Sequence, residues 1–421
     1  MKKNWFIIII VIFFLVFEVI SSIFNNNDNG KKQVVFMNDF CVISDKLEEY
    51  KQEFESLYPD IEIKNECIGD NYETICSYRL NAGNAGDVMV VPSSMNISYY
   101  KDYYEPLGTL DELSKKYRFA GVKAVNNTVY SIPTDISISG GIMYNMDVLK
   151  KAGIYKVPQN YDEFINTMRS IKNNTNIVSL YLNSNESEQL KAWNSLVYTE
   201  SGNANYNEQF ALSDSLFQEN NSYYKLYKVL YECINEKLVE ENYLTSKWEE
   251  GMFLFKNGEV AAVVTDYDEY LEIKNQCANK DSIIYAPFFN GKNNKYLYAD
   301  VLNELAINVE SSHKKEARIW LDFLINDTDF LNQAGDLGIL CRNENLDSVK
   351  KVESKGMEII YSDEKNEEIL GIFEKHDNNS ALGMTNGTFV ADLINKAADE
   401  SKSYDDFCSE WNEEWKKSNV S

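Results

Sequence analysis

VYSIPTDISISGGIMYNMDVLKKAGI, residues 129–154, sets an apolar run against a proline and then a row of small hydroxyls and glycines. Pro133 is one of only six prolines in 421 residues, and Asp135, Ser137 and Ser139 follow at once. Proline has no backbone N–H to give to a ladder, so the strand is expected to end there. The pattern restarts as the strand GGIMYN. A short helix then opens at Asn145-Met146-Asp147 and stops at Gly153. A folded core does not need polar residues at a strand break. A strand passing from one domain to another beside a polar ligand does.

The flanks carry the same α/β signature. Upstream, QVVFMNDF reads as a buried strand, and SDKLEEYKQEFESLYP as a helix with Leu47, Tyr50, Phe54 and Leu57 inward. Asp45 and Glu48 fit a capping pair, and Pro59 ends the helix. IEIKNECI is a second strand. Strand, helix, strand is a βαβ unit, which predicts that the two strands are parallel. DVMVVP is a third strand, after a helix around Tyr78-Arg79-Leu80. Downstream, Asn160 and Glu163 cap a helix that carries Tyr161, Phe164, Met168 and Ile171 on one face. Residues 186–250 read as mainly helical, with Trp193, Leu196, Leu230 and Trp248 as core. EVAAVVTD, SIIYAPF and ELAINV are strands, and HKKEARIWLDFLIN is an amphipathic helix. A second strand-then-proline crossing at Pro287 predicts that the chain passes between lobes more than once.

Length and charge narrow the function. At ~100–200 residues per domain, this length predicts two or three domains, each able to bury a core without a staple. Lys plus Arg is 41 against 66 for Asp plus Glu, a formal net charge of −25. Such a surface repels phosphate backbones and anionic lipid, which excludes nucleic acid as a partner. The plainest consequence of the charge is solubility; a sharper one is attraction of a cationic ligand.

Two lysines and Asn4 precede the 13-residue apolar run WFIIIIVIFFLVF, the pattern of an export signal. Continued to Phe24, the run has 20 residues. That is roughly 30 Å of helix, enough to span a bilayer. Residues 1–24 are therefore a cleaved signal peptide or an uncleaved anchor. Either one places the rest of the chain at the outer face of the membrane. Residues 25–32 read as a polar linker. Seven cysteines leave at least one unpaired; Cys67 and Cys76 are the nearest pair and are candidates for a bridge.

Catalytic motifs are missing. The two histidines, His313 and His376, have no partner at metal-ligand or Ser-His spacing, and no phosphate loop, G-x-S-x-G elbow or HExxH occurs. No metal or cofactor is expected. A carboxylate-pair glycosidase stays open on sequence alone, because acids are abundant and their separation is not written in the chain. TDYDEY, residues 265–270, gathers Asp266, Tyr267, Asp268 and Tyr270 after a strand. Carboxylates accept bonds from sugar hydroxyls, and aromatic faces cover C–H faces or cations.

From Val34 onward the chain resembles the extracellular solute-binding proteins of ABC importers, in the carbohydrate-binding group that includes the maltose-binding protein. The segments that carry the resemblance, in the family's order, begin with EFESLYPDIEIK, RLNAGNAGDVMVVP and YYEPLGTLDEL. They continue with NNTVYSIPTDISISGGIMYNMDVLKKAGIYKVPQNYDEF, WEEGMFLFKNGEVAAVV and EARIWLDFLINDTDFLNQAGDLGILCRN. The resemblance implies an α/β, two-lobe periplasmic-binding-protein-like fold of type II that closes on its ligand about interlobe strands. The lobes would be 33–135 with 288–338, and 136–287 with 339–421. It also implies a monomeric binding subunit, not an enzyme, that captures a sugar or oligosaccharide and delivers it to ABC permease subunits.

The ligand residues it implies are Asn38 and Asp39 after the first strand, Ser93 and Ser94 after the third, and Thr134, Asp135 and Ser137 at the junction. Further ones are Asp266 and Tyr267, Tyr298 and Asp300, and Met384, Thr385 and Asn386. Tyr267→Ala would then weaken binding with little loss of stability. The chain departs from the family in lacking the lipobox, in having Asp266-Tyr267 where Trp is common, Ala299-Asp300 where Gly-Gly is usual, and Cys341 where Pro is frequent. The alternatives are a polyamine or other cation in the same fold, which cleft carboxylates without bases would favour, and a sensor for a membrane kinase.

Overall fold

The computed structural model describes residues 30–289, 295–326, 347–399 and 402–418. The expected export segment, the linker up to Asn29, the late crossover 327–343 and Cys341 lie outside them. The chain runs β1 (Lys32–Asn38), α1 (Ser44–Leu57), β2 (Ile61–Cys67), α2 (Tyr72–Asn81) and β3 (Val88–Val90). It continues with β4 (Ser131–Ser139), β5 (Gly141–Asn145), α3 (Met146–Lys151), α4 (Tyr161–Asn174), β6 (Val178–Tyr181), α5 (Ser187–Ser201) and α6 (Ser222–Asn235). Next come α7 (Trp248–Lys256), β7 (Val260–Thr265), α8 (Tyr267–Gln276), β8 (Ile283–Pro287), β9 (Tyr296–Ile307) and α9 (Lys314–Asn326). The last elements are β10 (Glu358–Ile360), α10 (Glu367–Ser380), α11 (Thr388–Asp399) and α12 (Tyr404–Ser418). The described residues fall into two compact units, divided after Val90 and after Ala306: the first holds the described residues up to Val90 together with Ile307–Asn326, the second the rest.

In the first unit β1 pairs in parallel with β2, from Lys32↔Ile61 to Asn38↔Cys67, and with β3 on its other side. This is the crossover the strand–helix–strand pattern predicts. Trp320 of α9 seals the unit edge-on against Phe54 and Phe36, with ring centroids 4.9 and 6.0 Å away. Three expectations need correction. Leu57, expected inward with Leu47, Tyr50 and Phe54, is exposed at the last position of α1. Asp45 does not cap α1, because the helix begins one residue earlier at Ser44; Asp45 lies in the first turn, where it complements the helix dipole. Cys67 bonds to Cys41 rather than Cys76. The parallel register brings the turn after β1 beside the last residue of β2, while Cys76 is buried on α2.

The second unit contains the opening stretch. The strand does not end at Pro133: β4 runs through it to Ser139. It pairs antiparallel with β9, and the register shifts between Val301 and Asn303 and again between Asn303 and Glu304, opposite Asp135 and Pro133. A proline cannot donate to the ladder, and an irregularity is where a sheet tolerates one. β10 adds to the other edge of β9 in parallel. Gly140 then turns the chain into β5 at φ +91°, and a Cβ there would lie 1.8 Å from Thr199 Oγ1. β5 belongs to a 4-stranded sheet, ordered β8–β5–β7–β6, in which β8 ends at Pro287 as expected. The core below it is helical and aromatic, with Trp193, Leu196, Leu230, Trp411 and Trp415 buried together.

Candidate functional site

Asn38 and Asp39 lie in the first unit, at the carboxyl end of β1. Asn38 is fully buried and braces the turn: its Nδ2 donates to Asn65 Oδ1 (2.6 Å) and Phe36 O (3.3 Å), and its Oδ1 accepts from Phe40 N (3.0 Å). Asp39, the next residue, is exposed. Surrounding protein strips part of its hydration and Glu73 repels it, so its carboxyl sits above the usual carboxylate range, a backbone hydrogen bond offsetting part of the rise.

The other candidates lie in the second unit and fall into separate groups. Ser93 and Ser94 are exposed just past Pro92. Thr134 and Asp135 are buried in β4; Asp135 Oδ1 accepts from Ile136 N at 2.9 Å, and Thr134 Oγ1 has no partner among the described residues. Ser137 Oγ reaches Asp266 Oδ2, the first residue ahead of α8, at 3.4 Å. Tyr267 is only 1% exposed and packs against Tyr270 and Tyr285, each 5.4 Å away between centroids. Lys355 Nζ lies 5.6 Å over its ring and donates to its hydroxyl at 3.4 Å. Thr385 is exposed, and its amide and hydroxyl both donate to Asp377 Oδ2 (3.3 and 3.2 Å). Met384 N donates to Asp377 Oδ1 (2.8 Å), and Asn386 Oδ1 accepts from Thr388 N (3.0 Å).

Tyr298 and Asp300 form the most developed group. Tyr298 stacks on Tyr198 of α5 with centroids 4.3 Å apart. Lys123 Nζ lies 3.5 Å from Asp300 Oδ1, and Val301 N donates to the same oxygen at 2.8 Å. Burial works to raise the Asp300 pKa, but the Lys123 and Lys365 ammonium groups outweigh it and hold the carboxyl below its usual range. Lys365 Nζ also donates to Asn205 Oδ1 at 3.2 Å. Deeper in, Glu304 accepts from Tyr100 and Ser131, and burial pushes its carboxyl up.

α5 links these groups. Near its start Gln189 Nε2 holds Val264 O at 2.7 Å, close to Asp266; a Cβ on Gly387, two residues after Thr385, would touch Leu190 Cβ at 3.0 Å; near its end Tyr198 meets Tyr298. Sequence reasoning missed Tyr198, Lys123, Lys365 and Lys355. Each is a common residue in an unremarked helix or loop, so no local pattern marks it. The exposed Asp39, Ser93, Ser94 and Thr385 can exchange hydrogen bonds with hydroxyls, whereas the rings of Tyr267 and Tyr298 are buried against other tyrosines. Among the described residues no cluster of His, Cys, Asp and Glu could hold a metal ion.

The family profile described as bacterial extracellular solute-binding protein matches residues 43–329, and the chain belongs to that family. It is a binding protein of the ABC-importer type and not an enzyme. Among solved structures, it is similar to BlMnBP1, a binding protein of an ABC transporter from Bifidobacterium animalis subsp. lactis, in complex with mannobiose. The identity is 26%, covering 92% of this chain and 94% of that one, at a TM-score of 0.73. BlMnBP2 from the same organism, manno-oligosaccharide specific and in complex with mannotriose, matches at 26% identity, 93% and 96% coverage and TM-score 0.70. RafE from Streptococcus pneumoniae, at 16% identity, 93% and 99% coverage and TM-score 0.63, shares the fold. Among curated protein sequences none matches.

Proposed function

We propose that this chain captures a short oligosaccharide outside the cell and hands it to the membrane permease of an ABC importer, with manno-oligosaccharides the first ligands to try. The observation that carries this reading is the likeness, at 26% identity over almost the whole chain, to two binding proteins holding mannobiose and mannotriose. Asn38, Asp39, Ser93, Asp135, Ser137, Asp266, Tyr267, Tyr298, Asp300 and Thr385 form the proposed ligand set. Exposed Asp39, Ser93 and Thr385 are its direct contacts, and buried Asn38 and Tyr267 its support. The proposed lobes are 33–135 with 288–338 and 136–287 with 339–421, acting as a monomer. Attachment by residues 1–24, as signal or anchor, is part of the proposal; no helix among the described residues is long and apolar enough to cross a membrane.

Two lysines around Asp300 argue against a dication at that carboxylate, since a bound ammonium would meet like charge. A thermal-shift panel of mannobiose, mannotriose, raffinose and putrescine tests the reading. A ligand at a hundred times its Kd adds about 2.7 kcal/mol. A shift with the mannosides is expected; a shift with putrescine alone overturns the sugar reading.

A further inference from the structure

Four observations converge on the turn after β1. The Cys41–Cys67 disulfide ties this turn to the last residue of β2, with the Cα atoms 5.5 Å apart and 26 positions separating them in sequence. Hydrogen bonds complete the hold: Cys41 N to Asp39 O (2.7 Å), Ile43 N to Phe40 O (3.1 Å) and Ile68 N to Asn38 O (2.9 Å). Within this turn Val42 is 100% exposed, more than any other large apolar side chain described. Asp39, three residues earlier, is also exposed. The turn sits at the carboxyl ends of parallel strands, the edge where open α/β sheets take their ligands.

The braced turn thus presents one exposed apolar side chain and one exposed acid. An oligosaccharide presents both matching chemistries, hydroxyls for a carboxylate and a C–H face for a small apolar side chain.

We propose that the Cys41–Cys67 disulfide is a positioning device for ligand capture. It holds Asp39 and Val42 in their contact geometry and makes affinity depend on the redox state of this pair. The inference rests on the oligosaccharide reading above. Preorganising a contact turn removes an ordering cost from binding. Cys41 is exposed, so a dithiol can reach the bond. Reduction breaks the Sγ–Sγ bond, leaves one thiol on each cysteine, and turns the dithiol into its own disulfide. Cys76, Cys233, Cys277 and Cys408 are buried. Burial pushes the Cys76 thiol up to about 11, which lowers its thiolate fraction.

The test compares the full chain oxidised, reduced with dithiothreitol, and as the double variant Cys41→Ser/Cys67→Ser. Calorimetric titration with mannotriose reads affinity, and amide hydrogen exchange reads residues 39–43. Reduction and the double variant are expected to weaken binding at least tenfold and to speed exchange in the turn, while α2 and α9 keep their protection. Val42→Ala, with the bond intact, is expected to weaken binding several-fold with exchange unchanged. Equal affinity in the oxidised and reduced forms overturns the proposal. If the oxidised protein takes no mannotriose, it is the oligosaccharide reading that fails; the exchange data then decide the brace, and unchanged protection of 39–43 overturns it.

Discussion

Asp39 and Asp300 are the same side chain in opposite surroundings. Asp39 stands exposed on a turn braced from behind by Asn38 and a disulfide, and its carboxyl is pushed up by lost hydration and by Glu73. Asp300 lies half-buried in a strand, held down by Lys123 and Lys365 and bonded to the Val301 amide. No ammonium is among the groups that shift the first carboxylate; two hold the second down. A ligand hydroxyl gains most from the acid the fold has left unneutralised, and the neutralised one serves to organise its neighbours.

The family resemblance implies Tyr267 as a ligand contact. The structure buries it among Tyr270 and Tyr285. Tyr267→Ala is therefore expected to destabilise the chain by about 3 kcal/mol, as other large-to-small core changes do. Chemical denaturation measures it. An unchanged midpoint with lost ligand affinity would return Tyr267 to the contact set.

Lys123→Met comes next. It removes the nearest ammonium from Asp300 and Glu304, at an expected cost of about 2 kcal/mol, less than for a fully buried pair because Asp300 is partly hydrated. The sign of the pH effect follows from the depressed folded pKa of Asp300. Its contribution is fully present above the unfolded value, near 3.8, and is lost as pH falls through the lower folded value. In the variant that loss moves to higher pH. Acid unfolding curves that superpose for the two proteins would remove Lys123 from control of Asp300.

Asp39→Asn is the smallest change for the fold. Stability is expected to stay within about 0.5 kcal/mol. Because the folded pKa of Asp39 is raised, its ionisation works slightly against the fold as pH rises through that value, so the amide gains slightly at neutral pH. Mannotriose affinity is expected to fall about tenfold, the loss of roughly one charge-assisted hydrogen bond. Unchanged affinity by titration would dissolve the contrast between the two aspartates.

Much of the fold is legible in the chain. The β1–α1–β2 crossover, the Asn160/Glu163 cap, the Gly153 stop and the strand ending at Pro287 follow from periodicity and turn chemistry, which act within a few residues. Pro133 misleads because the bulge in β9 that receives it is written more than 160 positions away. Cys67 misleads for the same reason: its nearest cysteine in sequence sits on a helix, while the register of two parallel strands delivers Cys41.

The chain alone made the class legible: an acidic, α/β chain with the segments of an extracellular solute-binding protein, because composition and family segments are local properties. Tertiary structure decided which polar groups remain free to meet a ligand. Lys123 and Lys365 reach Asp300 from loops far from β9, and Tyr198 covers Tyr298 from the end of α5. Burial and Coulomb interactions depend on distance in space, and no spacing along the sequence encodes that distance.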